Sequence, residues 1–536
     1  MKRTVGFWMV TGALVLSLLA LGTGLPAYAQ DPVVEEIPPG PETDLPDYIG
    51  APAKAHPLAN SGVPQNPLLA PNPFNGIHLD PWNSDVADIA GPPGRNPTVV
   101  SSTLEEARQD PQYPEWVFEC IGEFFDSHGR VIAICFSQNE ATVVLADPDT
   151  LEVLDHYHLE IKAGGPYIGT GRQQFLMSFG SLYSYFDAHD QLTLVSGGDK
   201  LITLVEGGSE ENPVLEHPEG NTYDLSNILP ADTRISGISL DWQGRIWITT
   251  PDPATVWLLN PATTAYPYTD VKSFKLPDDE AIRNTFAVTR VGMDRTAAYV
   301  VTSERMYRID AGFDDQPYKV WEQPYDTIGK VKDGQYELGS GTSPTILGEG
   351  KYVAITDNAD PMKVVVFRTD ERLDPEERIV CQVPVFENEA GGALSNSLIG
   401  SRLSLIATNN YGYWFDWENG QLKESSAPGA ERIDIDPNGK GCRKVWANTE
   451  VATTTSPRLS TRTGLIYTVA REYDTQNKVY VYYWTAIDFR TGKTVWQKMA
   501  GTGSKYDGFY PGVGIGPNGA LYYGGYGGLI TIRDTR

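Results

Sequence analysis

The chain has 536 residues, and 42 lysine and arginine residues against 69 aspartate and glutamate residues give it a formal net charge of −27. A surface this acidic repels a polyanion, so the sequence excludes most nucleic-acid partners. With 40% hydrophobic residues the chain can bury a large core, and its 53 glycines, 39 prolines and 28 tyrosines favour strands and turns over helices.

The first 29 residues have the pattern of a secretory signal peptide. Two basic residues precede an apolar run from Val5 to Leu25, and a small-x-small cleavage site ends at Ala29. We therefore expect a secreted or periplasmic protein. The apolar run is nearly long enough to span a bilayer, so an uncleaved anchor is the alternative. Only in that case do we expect contact with a membrane.

Two further segments precede the main domain. Residues 30–75 predict an extended, acidic linker, because 12 prolines lie between Gln30 and Pro81 and little apolar surface is available to offset ordering. Residues 76–114 include His78, Asp80 and Asp85 and predict an ordered segment, although they show no period.

An internal repeat determines the predicted fold of residues 115–536. A turn residue followed by a β-rich run that ends in polar residues occurs eight times, at intervals of 51 to 63 residues. This spacing suits blades of four short antiparallel strands and predicts a single, all-β, eight-bladed β-propeller. Two separate β domains with coincidental spacing are the alternative. The eight runs begin at Gly129, Asp190, Gly244, Thr296, Gly350, Ser401, Gly464 and Gly519.

The eighth copy is incomplete, because the chain ends two residues after Asp534. The last blade therefore lacks its outermost strand, and an open ring would expose an unpaired strand edge. We expect an N-terminal strand, at Pro97 to Ser102, to complete the last blade and close the ring.

One copy carries a family resemblance. The segment from Ala486 to Trp496, with Asp488, Thr491 and Gly492 at the turn, resembles the tryptophan-docking repeat of quinoprotein (PQQ-repeat type) dehydrogenase propellers. The resemblance implies that the turn joins a third strand to a fourth and that Trp496 packs between neighbouring blades. Other segments look similar to an uncharacterised group of exported bacterial propellers, which implies no particular activity.

A candidate binding site follows from the propeller topology. All eight second strands end at one mouth of the central channel, so their polar ends are expected to be neighbours. The candidate ligand-binding residues are Asp252, Arg305, Asp357, Asn358, Asp360, Asn409, Asn410, Tyr411, Arg471, Glu472, Tyr523 and Tyr526.

The densest polar cluster of this ring is Asp357-Asn358-Ala359-Asp360-Pro361. Hard oxygen ligands at these spacings suit Ca²⁺, and Asp357 with Asp360 is the candidate metal site. The alternative is a turn in which the aspartate and asparagine side chains cap their own backbone amides.

Four cysteines in an exported protein favour disulfides. Cys120 and Cys135 lie on adjacent predicted strands of blade 1, which predicts a bridge within that hairpin, and Cys381 would then pair with Cys442 across blades 5 and 6. Neither pair resembles the adjacent cysteines beside the cofactor of some quinoprotein alcohol dehydrogenases.

The sequence leaves two main functions open. The first is a non-catalytic propeller that binds a small polar molecule, a cation or a partner protein at the channel mouth. The second is an oxidoreductase that uses pyrroloquinoline quinone and a divalent ion such as Ca²⁺, with Asp357 as the base that takes the proton of an alcohol or sugar. Cleavage of a polysaccharide has less support, because sequence spacing does not show a working acid and base pair.

Overall fold

The computed structural model describes residues 37, 39–103, 119–136, 141–160, 183–231, 233–264, 268, 270–335, 338–387, 391–413, 415–416, 421–422, 426–508 and 510–535. The predicted signal peptide lies outside them, as do residues 104–118. The described residues from 37 onward belong to one compact unit. Three short strands precede the blades in the chain, namely β1 (Tyr48–Gly50), β2 (Val86–Ala87) and β3 (Pro97–Ser102).

Eight antiparallel sheets form an eight-bladed β-propeller, as predicted. Blade 1 contains β4 (Glu119–Phe125), β5 (Val131–Phe136), β6 (Ala141–Ala146) and β7 (Val153–Leu159). Blade 2 contains β8 (Tyr185–Phe186), β9 (Gln191–Ser196), β10 (Lys200–Gly208), β11 (Pro213–Glu216) and β12 (Thr222–Asp224). Blade 3 contains β13 (Gly237–Leu240), β14 (Ile246–Pro251), β15 (Ala254–Leu259) and β16 (Lys272–Lys275), and blade 4 contains β17 (Ala287–Val291), β18 (Arg295–Val301), β19 (Arg305–Ala311) and β20 (Tyr318–Pro324).

The second half of the chain repeats this order. Blade 5 contains β21 (Thr345–Leu347), β22 (Tyr352–Thr356), β23 (Lys363–Arg368) and β24 (Ile379–Pro384). Blade 6 contains β25 (Ile399–Ser401), β26 (Ser404–Thr408), β29 (Ala430–Ile435) and β30 (Cys442–Asn448), and β27 (Phe415–Asp416) and β28 (Gln421–Leu422) form a separate hairpin. Blade 7 contains β31 (Arg458–Ser460), β32 (Leu465–Asp474), β33 (Val479–Asp488) and β34 (Thr494–Thr502), and blade 8 contains β35 (Gly514–Ile515), β36 (Leu521–Gly525) and β37 (Gly528–Asp534). A single helical turn, Pro375–Arg378, precedes β24.

The eight repeated runs of the sequence are the second strands of the eight blades, which confirms the repeat. They are β5, β9, β14, β18, β22, β26, β32 and β36. Almost every residue of these strands is buried, because a second strand packs against a neighbouring blade on both faces. This burial explains why they are the strongest periodic signal in the chain.

The ring is closed by the predicted N-terminal strand. Strand β3 pairs antiparallel with β37 along its full length, with Pro97 opposite Asp534 and Ser102 opposite Leu529. Blade 8 therefore takes its outermost strand from the other end of the propeller, and β37 has no free edge there.

The turn at Asp488, in the segment that resembles the quinoprotein repeat, has the geometry that the resemblance implies. Oδ1 of Asp488 accepts hydrogen bonds from the backbone N–H groups of Arg490 and Thr491, and Gly492 follows with a φ of 72°. This turn joins β33 to β34, the third and fourth strands of blade 7. Trp496 is fully buried in a hydrophobic cluster that residues of blades 7 and 8 share.

Both predicted disulfides are present. Cys120 and Cys135 are bonded within the hairpin of β4 and β5, and Cys381 and Cys442 connect the outermost strands of blades 5 and 6. No free cysteine remains among the four.

The proline-rich segment runs along the propeller from residue 39. Strand β1 adds to the outer edge of blade 7 through β34, and the backbone N–H groups of His56 and Leu58 donate to carbonyl oxygens of Thr463 and Thr461. The segment is extended, but backbone hydrogen bonds to blade 7 hold it in place. It then turns into the central channel, where β2 pairs in parallel with β31.

Candidate functional site

Several predicted mouth residues hold connecting segments in place. Asn358 Nδ2 donates to Gln335 Oε1 at 2.8 Å, and Oδ1 of Asn410 accepts the backbone N–H of Ser395 at 3.1 Å. Asn409 Oδ1 accepts the N–H of Tyr411 at 3.0 Å. These buried amides therefore fix the connections that enter blades 5 and 6, while Asn410 Nδ2 is buried without a hydrogen bond to any described residue.

The remaining predicted residues are spread around the mouth. Arg305 forms an ion pair with Glu280, and Tyr523 donates its hydroxyl hydrogen to the carbonyl oxygen of Tyr506 at 2.8 Å. Asp252, Asp360 and Glu472 are exposed, and Tyr526 is buried. The topology thus brings these strand ends to one face.

Asp357 has the partners of a self-capping turn. Its Oδ1 accepts the backbone N–H groups of Lys363 at 2.7 Å and Ala359 at 3.2 Å, and its Oδ2 lies 3.7 Å from Lys363 Nζ. The Lys332 ammonium group is also nearby, and burial raises the pKa of Asp357 to about 6. Two lysines therefore supply the positive charge that Ca²⁺ would bring, and this carboxylate does not fit a calcium site.

A buried cluster around Asp507 connects blades 6, 7 and 8. The hydroxyls of Tyr413 and Tyr482 donate to its carboxylate, and Arg471 Nη1 lies 4.0 Å from Oδ2. The Arg471 guanidinium lies between the rings of Tyr413 and Tyr480, 4.7 Å from each centroid. Burial, with the charge of Asp507, holds the pKa values of Tyr413 and Tyr482 well above 10. Both phenols stay protonated and hold the segment that enters blade 8.

Sequence reasoning found Arg471 and missed Asp507. Asp507 lies in the connection between β34 and β35, which has no repeat and no motif. Two backbone hydrogen bonds hold Asp507 in place, since its N–H donates to Ser504 and its carbonyl oxygen accepts the N–H of Tyr526. This position, rather than any sequence signal, makes its carboxylate the acceptor for two tyrosines.

The central channel contains residues 75–87, which we call the plug segment. Its carbonyl oxygens accept backbone N–H groups from the innermost strands of blades 2, 4, 5, 6 and 7. The donors are Phe186 to Asn75, Val288 to Pro81, Ile346 to Trp82, Gly400 to Ser84 and Leu459 to Asp85, at 2.8 to 3.1 Å. Inner strand edges that would otherwise line an open channel are therefore paired with the chain's own N-terminal part.

A chain of buried polar side chains lies between the plug segment and blades 6 and 7. Arg458 Nη1 is 2.8 Å from Oδ1 of Asp85, and His78 Nδ1 is 3.4 Å from the same oxygen. Ser397 Oγ lies 2.7 Å from His78 Nδ1. Of these two neighbours of His78 Nδ1, the Ser397 hydroxyl is the one within hydrogen-bond distance.

Glu123, from the innermost strand of blade 1, continues this chain. Its side chain is buried near Arg458, and its Oε1 has no hydrogen bond to any described residue. Burial raises its pKa to about 8, against the opposing effect of the Arg458 charge. Glu123 is therefore largely a neutral carboxylic acid at pH 7.

Asp80 is the second acidic group of the plug segment at the channel. Its Oδ1 accepts the N–H groups of Trp82 at 2.9 Å and Ser84 at 3.3 Å, and Ser84 Oγ donates to Oδ2. Burial raises the pKa of Asp80 to about 7 despite these hydrogen bonds. Asp80 therefore changes charge near neutral pH.

A small cavity of about 40 Å³ lies beside the plug segment, towards blades 2, 3 and 4. His78 Nε2 and Ser184 Oγ, both on residues that line it, have no hydrogen bond within the described part of the chain. Its other polar lining comes from Asn75, Asp80, Asn83, Ser239 and Thr285. Leaving a buried polar atom without a hydrogen bond costs about 1–3 kcal/mol.

The cavity beside the plug segment does not fit pyrroloquinoline quinone. Ligand pockets usually measure about 300–1,000 Å³, and the cavity beside the plug segment is far smaller. The plug segment itself occupies the axis, held by five backbone hydrogen bonds. We therefore derive no step through a quinone.

Three other side chains of the kind that bind metal ions surround an arginine side chain. Asp126, His128 and Glu206 bring their ligand atoms within 4.8 Å of one another. Arg130 donates to Asp126 Oδ2 at 2.5 Å and to Glu206, and its Nη2 is 3.4 Å from His128 Nδ1. The guanidinium group therefore occupies the position that a metal ion would take.

Among the described residues, no helix has the length and apolar character needed to cross a membrane.

The chain is similar to several known proteins. No protein family model matches the chain. An uncharacterized protein of Archaeoglobus fulgidus is 27% identical over 279 residues, which make up 47% of this chain and 52% of that protein, so the chain spans about half the length of this curated relative. A streptogramin B lyase structure is 11% identical, covering 82% of this chain and 98% of its own, with a TM-score of 0.38.

A quinohemoprotein alcohol dehydrogenase from Pseudomonas putida HK5 is similar over 87% of this chain and 81% of its own, with 8% identity and a TM-score of 0.50. At this identity the similarity concerns the fold alone. Together with the eight sheets and the turn at Asp488, it shows that the chain has a quinoprotein-like, eight-bladed β-propeller fold.

Proposed function

We propose that the protein is an exported binding propeller that holds a small polar ligand in its central channel, without covalent chemistry. The observation that carries the proposal is that two residues lining the 40 Å³ cavity, His78 and Ser184, each have a buried side-chain atom without a hydrogen bond to any described residue, namely Nε2 and Oγ. A ligand that hydrogen-bonds to both atoms would remove the cost of burying them unpaired.

The surroundings of His78 support binding rather than catalysis. Its Nδ1 faces both Ser397 and Asp85, so Ser397 is not placed on the ring nitrogen opposite the carboxylate, as a nucleophile activated by a histidine and an aspartate would be. Arg458 also pairs with Asp85 at 2.8 Å. These contacts fix the ring and leave Nε2 as its one available polar atom.

Export is supported by the signal-like N-terminus and by the two disulfides. Disulfides of this kind persist in oxidising compartments and are rare in the cytosol. The test is to fractionate cells that express the full chain and to determine which fraction contains the protein. Recovery of an unprocessed, cytosolic protein with reduced cysteines would contradict export.

Thermal denaturation in the presence of defined compounds tests the binding site. The set contains potassium, ammonium, magnesium and calcium chlorides, glycerol, glucose, glycine and acetate, each with wild type, Ser184→Ala and Thr408→Val. Thr408 is the matched control, because its Oγ1 is also buried without a hydrogen bond but does not line the cavity.

We expect at least one compound to raise the melting temperature of wild type and Thr408→Val, and to have a much smaller effect on Ser184→Ala. Stabilisation that is equal in all three proteins would place the ligand elsewhere. A crystal structure in which the cavity contains only water in the presence of every compound would contradict the proposal.

A further inference from the structure

We infer that two copies of this chain associate through the base of the propeller, which is the face opposite the channel mouth. The turns that join first to second strands, and third to fourth strands, lie on this face. Two such turns of blade 4 each carry a protruding apolar side chain, and a groove lies beside them. A knob and a groove on one face allow a symmetric dimer in which each copy fills the groove of the other.

The knob consists of Phe313 and Met293. Phe313 is 84% exposed in the turn between β19 and β20, and Met293 is 78% exposed in the turn between β17 and β18. One turn of blade 3 holds both segments. Gln243 Nε2 donates to the carbonyl oxygen of Met293 at 3.4 Å, and Arg245 Nη1 donates to that of Gly312 at 2.6 Å. The two apolar side chains therefore project from neighbouring, fixed turns, and exposed apolar patches of this kind mark interaction sites.

The groove lies between blades 4 and 5 and has a volume of about 720 Å³. Pockets of about 300–1,000 Å³ enclose whole ligands, so an aromatic ring and a methionine side chain fit into it. Its accessible wall includes Pro64, Val291, Gly292 and Gly350. A Cβ at Gly292 would meet nothing within 4 Å, and a Cβ at Gly350 would meet only the ring of Trp82, at 3.6 Å. The glycines thus leave space for a side chain from outside.

The positions of knob and groove suit a twofold axis. Gly292 lines the groove and Met293 belongs to the knob, so the two features adjoin on the base. An axis that lies in the plane of contact and passes between them places each knob opposite the groove of the other copy. The same contact then forms twice, and the interface is closed.

Five charged side chains line the groove, and three of them are already paired. Glu349, Glu371 and Arg308 form ion pairs within the chain. Arg290 and Asp370 are exposed and form no ion pair with a described residue. The groove therefore offers one unpaired guanidinium group, on the residue that precedes Val291 in the turn beside the knob.

The knob is acidic at its edges. Asp314 follows Phe313, Asp294 follows Met293, and both carboxylates are exposed without an ion pair to a described residue. In the dimer, Asp314 of one copy faces Arg290 of the other, which gives two complementary contacts related by symmetry. The same acidic groups and the net charge of −27 oppose contact with anionic lipid headgroups. A second copy therefore fits this surface better than a membrane does.

The area of the knob suggests a weak dimer. An aromatic side chain buries about 200 Å², so 84% of Phe313 corresponds to about 170 Å². Two copies of Phe313 and the walls that they cover account for about 700 Å², and Met293 adds a similar amount, which gives about 1,300 Å² in total. This total lies at the small end of specific interfaces, about 1,200–2,000 Å². We expect a reversible dimer with a dissociation constant in the micromolar range.

The first experiment is analytical ultracentrifugation of the protein expressed from the full chain, at about 1 to 100 µM. Salt at about 0.15 M screens the net charge beyond about 8 Å. The dimer fraction of wild type should rise with concentration, and Phe313→Ser should associate at least tenfold more weakly. The control is Leu338→Ser, because Leu338 is 46% exposed on the connection between blades 4 and 5, at the mouth. Wild type that stays monomeric at every concentration, or associates as Phe313→Ser does, would overturn the inference.

A charge exchange tests the arrangement of the two copies. Arg290→Asp and Asp314→Arg should each weaken the dimer, because each places like charges opposite one another twice. The double variant restores opposite charges across the interface and should recover the association. Since Arg290 and Asp314 do not pair within one copy, the recovery cannot arise inside the monomer. A double variant as weak as the single variants would overturn the inference.

A photo-crosslinker identifies what covers the knob. With p-benzoylphenylalanine in place of Phe313, a mixture of ¹⁵N-labelled and unlabelled protein should give crosslinks between copies that end in residues 289–292 or 349–350. A wild type that is monomeric and sediments with phosphatidylcholine vesicles, while Phe313→Ser does not, would assign the base to a lipid surface and overturn the inference. The channel cavity takes no part in this contact, so these outcomes are independent of the proposed ligand binding.

Discussion

Nη1 of Arg458 lies 2.8 Å from Oδ1 of Asp85, and Nη2 of the same guanidinium donates to the carbonyl oxygen of Ile77 at 2.6 Å. One side chain of blade 7 thus holds two points of the plug segment. Both charged groups are buried. Removing one partner of such a pair leaves an uncompensated charge in the interior.

We therefore expect Arg458→Met to lower the free energy of unfolding by about 3–5 kcal/mol, measured by denaturation in urea. The double variant Arg458→Met, Asp85→Asn has no unpaired charge and should recover a large part of this loss. A single variant as stable as wild type would show that Arg458 does not hold the plug segment.

The pKa of Glu123 gives the stability a pH dependence with a defined sign. Burial raises this pKa to about 8 from its usual 4.5, so the folded protein binds the proton more tightly than the unfolded chain. The stability contributed by the protonated carboxyl is complete below about pH 4.5 and is lost as the pH rises towards 8. The variant Glu123→Gln is neutral at every pH and should be more stable than wild type at pH 9.

Measurement of unfolding by urea at pH 5, 7 and 9 tests this expectation. The exposed carboxyl of Glu472 provides the matched control, because Glu472→Gln should leave the slope unchanged. If the stability of wild type and of both variants rises to the same extent between pH 5 and pH 9, Glu123 is ionised in the folded protein and the expectation is wrong.

Two proline substitutions in β3 compare a residue whose N–H points to β37 with a residue whose N–H points away from it. Thr535 donates its N–H to Asn96, and because antiparallel pairing alternates, the N–H of Val100 points to β37 and that of Val99 points away. Val100→Pro should cost about 1–3 kcal/mol more than Val99→Pro in urea denaturation. Equal costs would mean that the hydrogen bonds of β3 do not close the ring, and Val100→Thr serves as a control that retains the N–H.

The two disulfides should differ in their access to a reductant. Both sulfur-bearing residues of the first bridge, Cys120 and Cys135, are fully buried, whereas Cys381 and Cys442 are partly exposed on outer strands. In dithiothreitol under native conditions, we expect alkylation and mass spectrometry to detect Cys381 and Cys442 first. Because their bridge spans 61 residues, its removal should cost about 4 kcal/mol. Earlier labelling of Cys120 would contradict this order.

The sequence predicts the architecture well because second strands are buried on both faces and must repeat. Eight runs of this kind, a missing last strand and the turn at Asp488 are local signals, and each corresponds to an observed element. The partner of β37 could be inferred because an open edge is unfavourable, even though β3 is distant in sequence.

The site could be predicted only in part. Topology places Asn358, Asn410 and Arg471 at the mouth, but the long connections into blades 5, 6 and 8 use their polar atoms. The plug segment has no period, because its backbone carbonyls rather than its side chains make most of the contacts with the inner strands. Its His78 and Asp80 therefore carry no signal of their own position in the channel.

The pairing of β3 with β37 also has a consequence for the order of assembly. Strand β3 leaves the ribosome early, while its partner β37 belongs to the last blade of the propeller. The circle therefore cannot be completed before blade 8 has been synthesised, and β3 lacks this partner until then. For a chain that crosses a membrane before it folds, this delay has no effect, because β3 and β37 can pair only after the crossing.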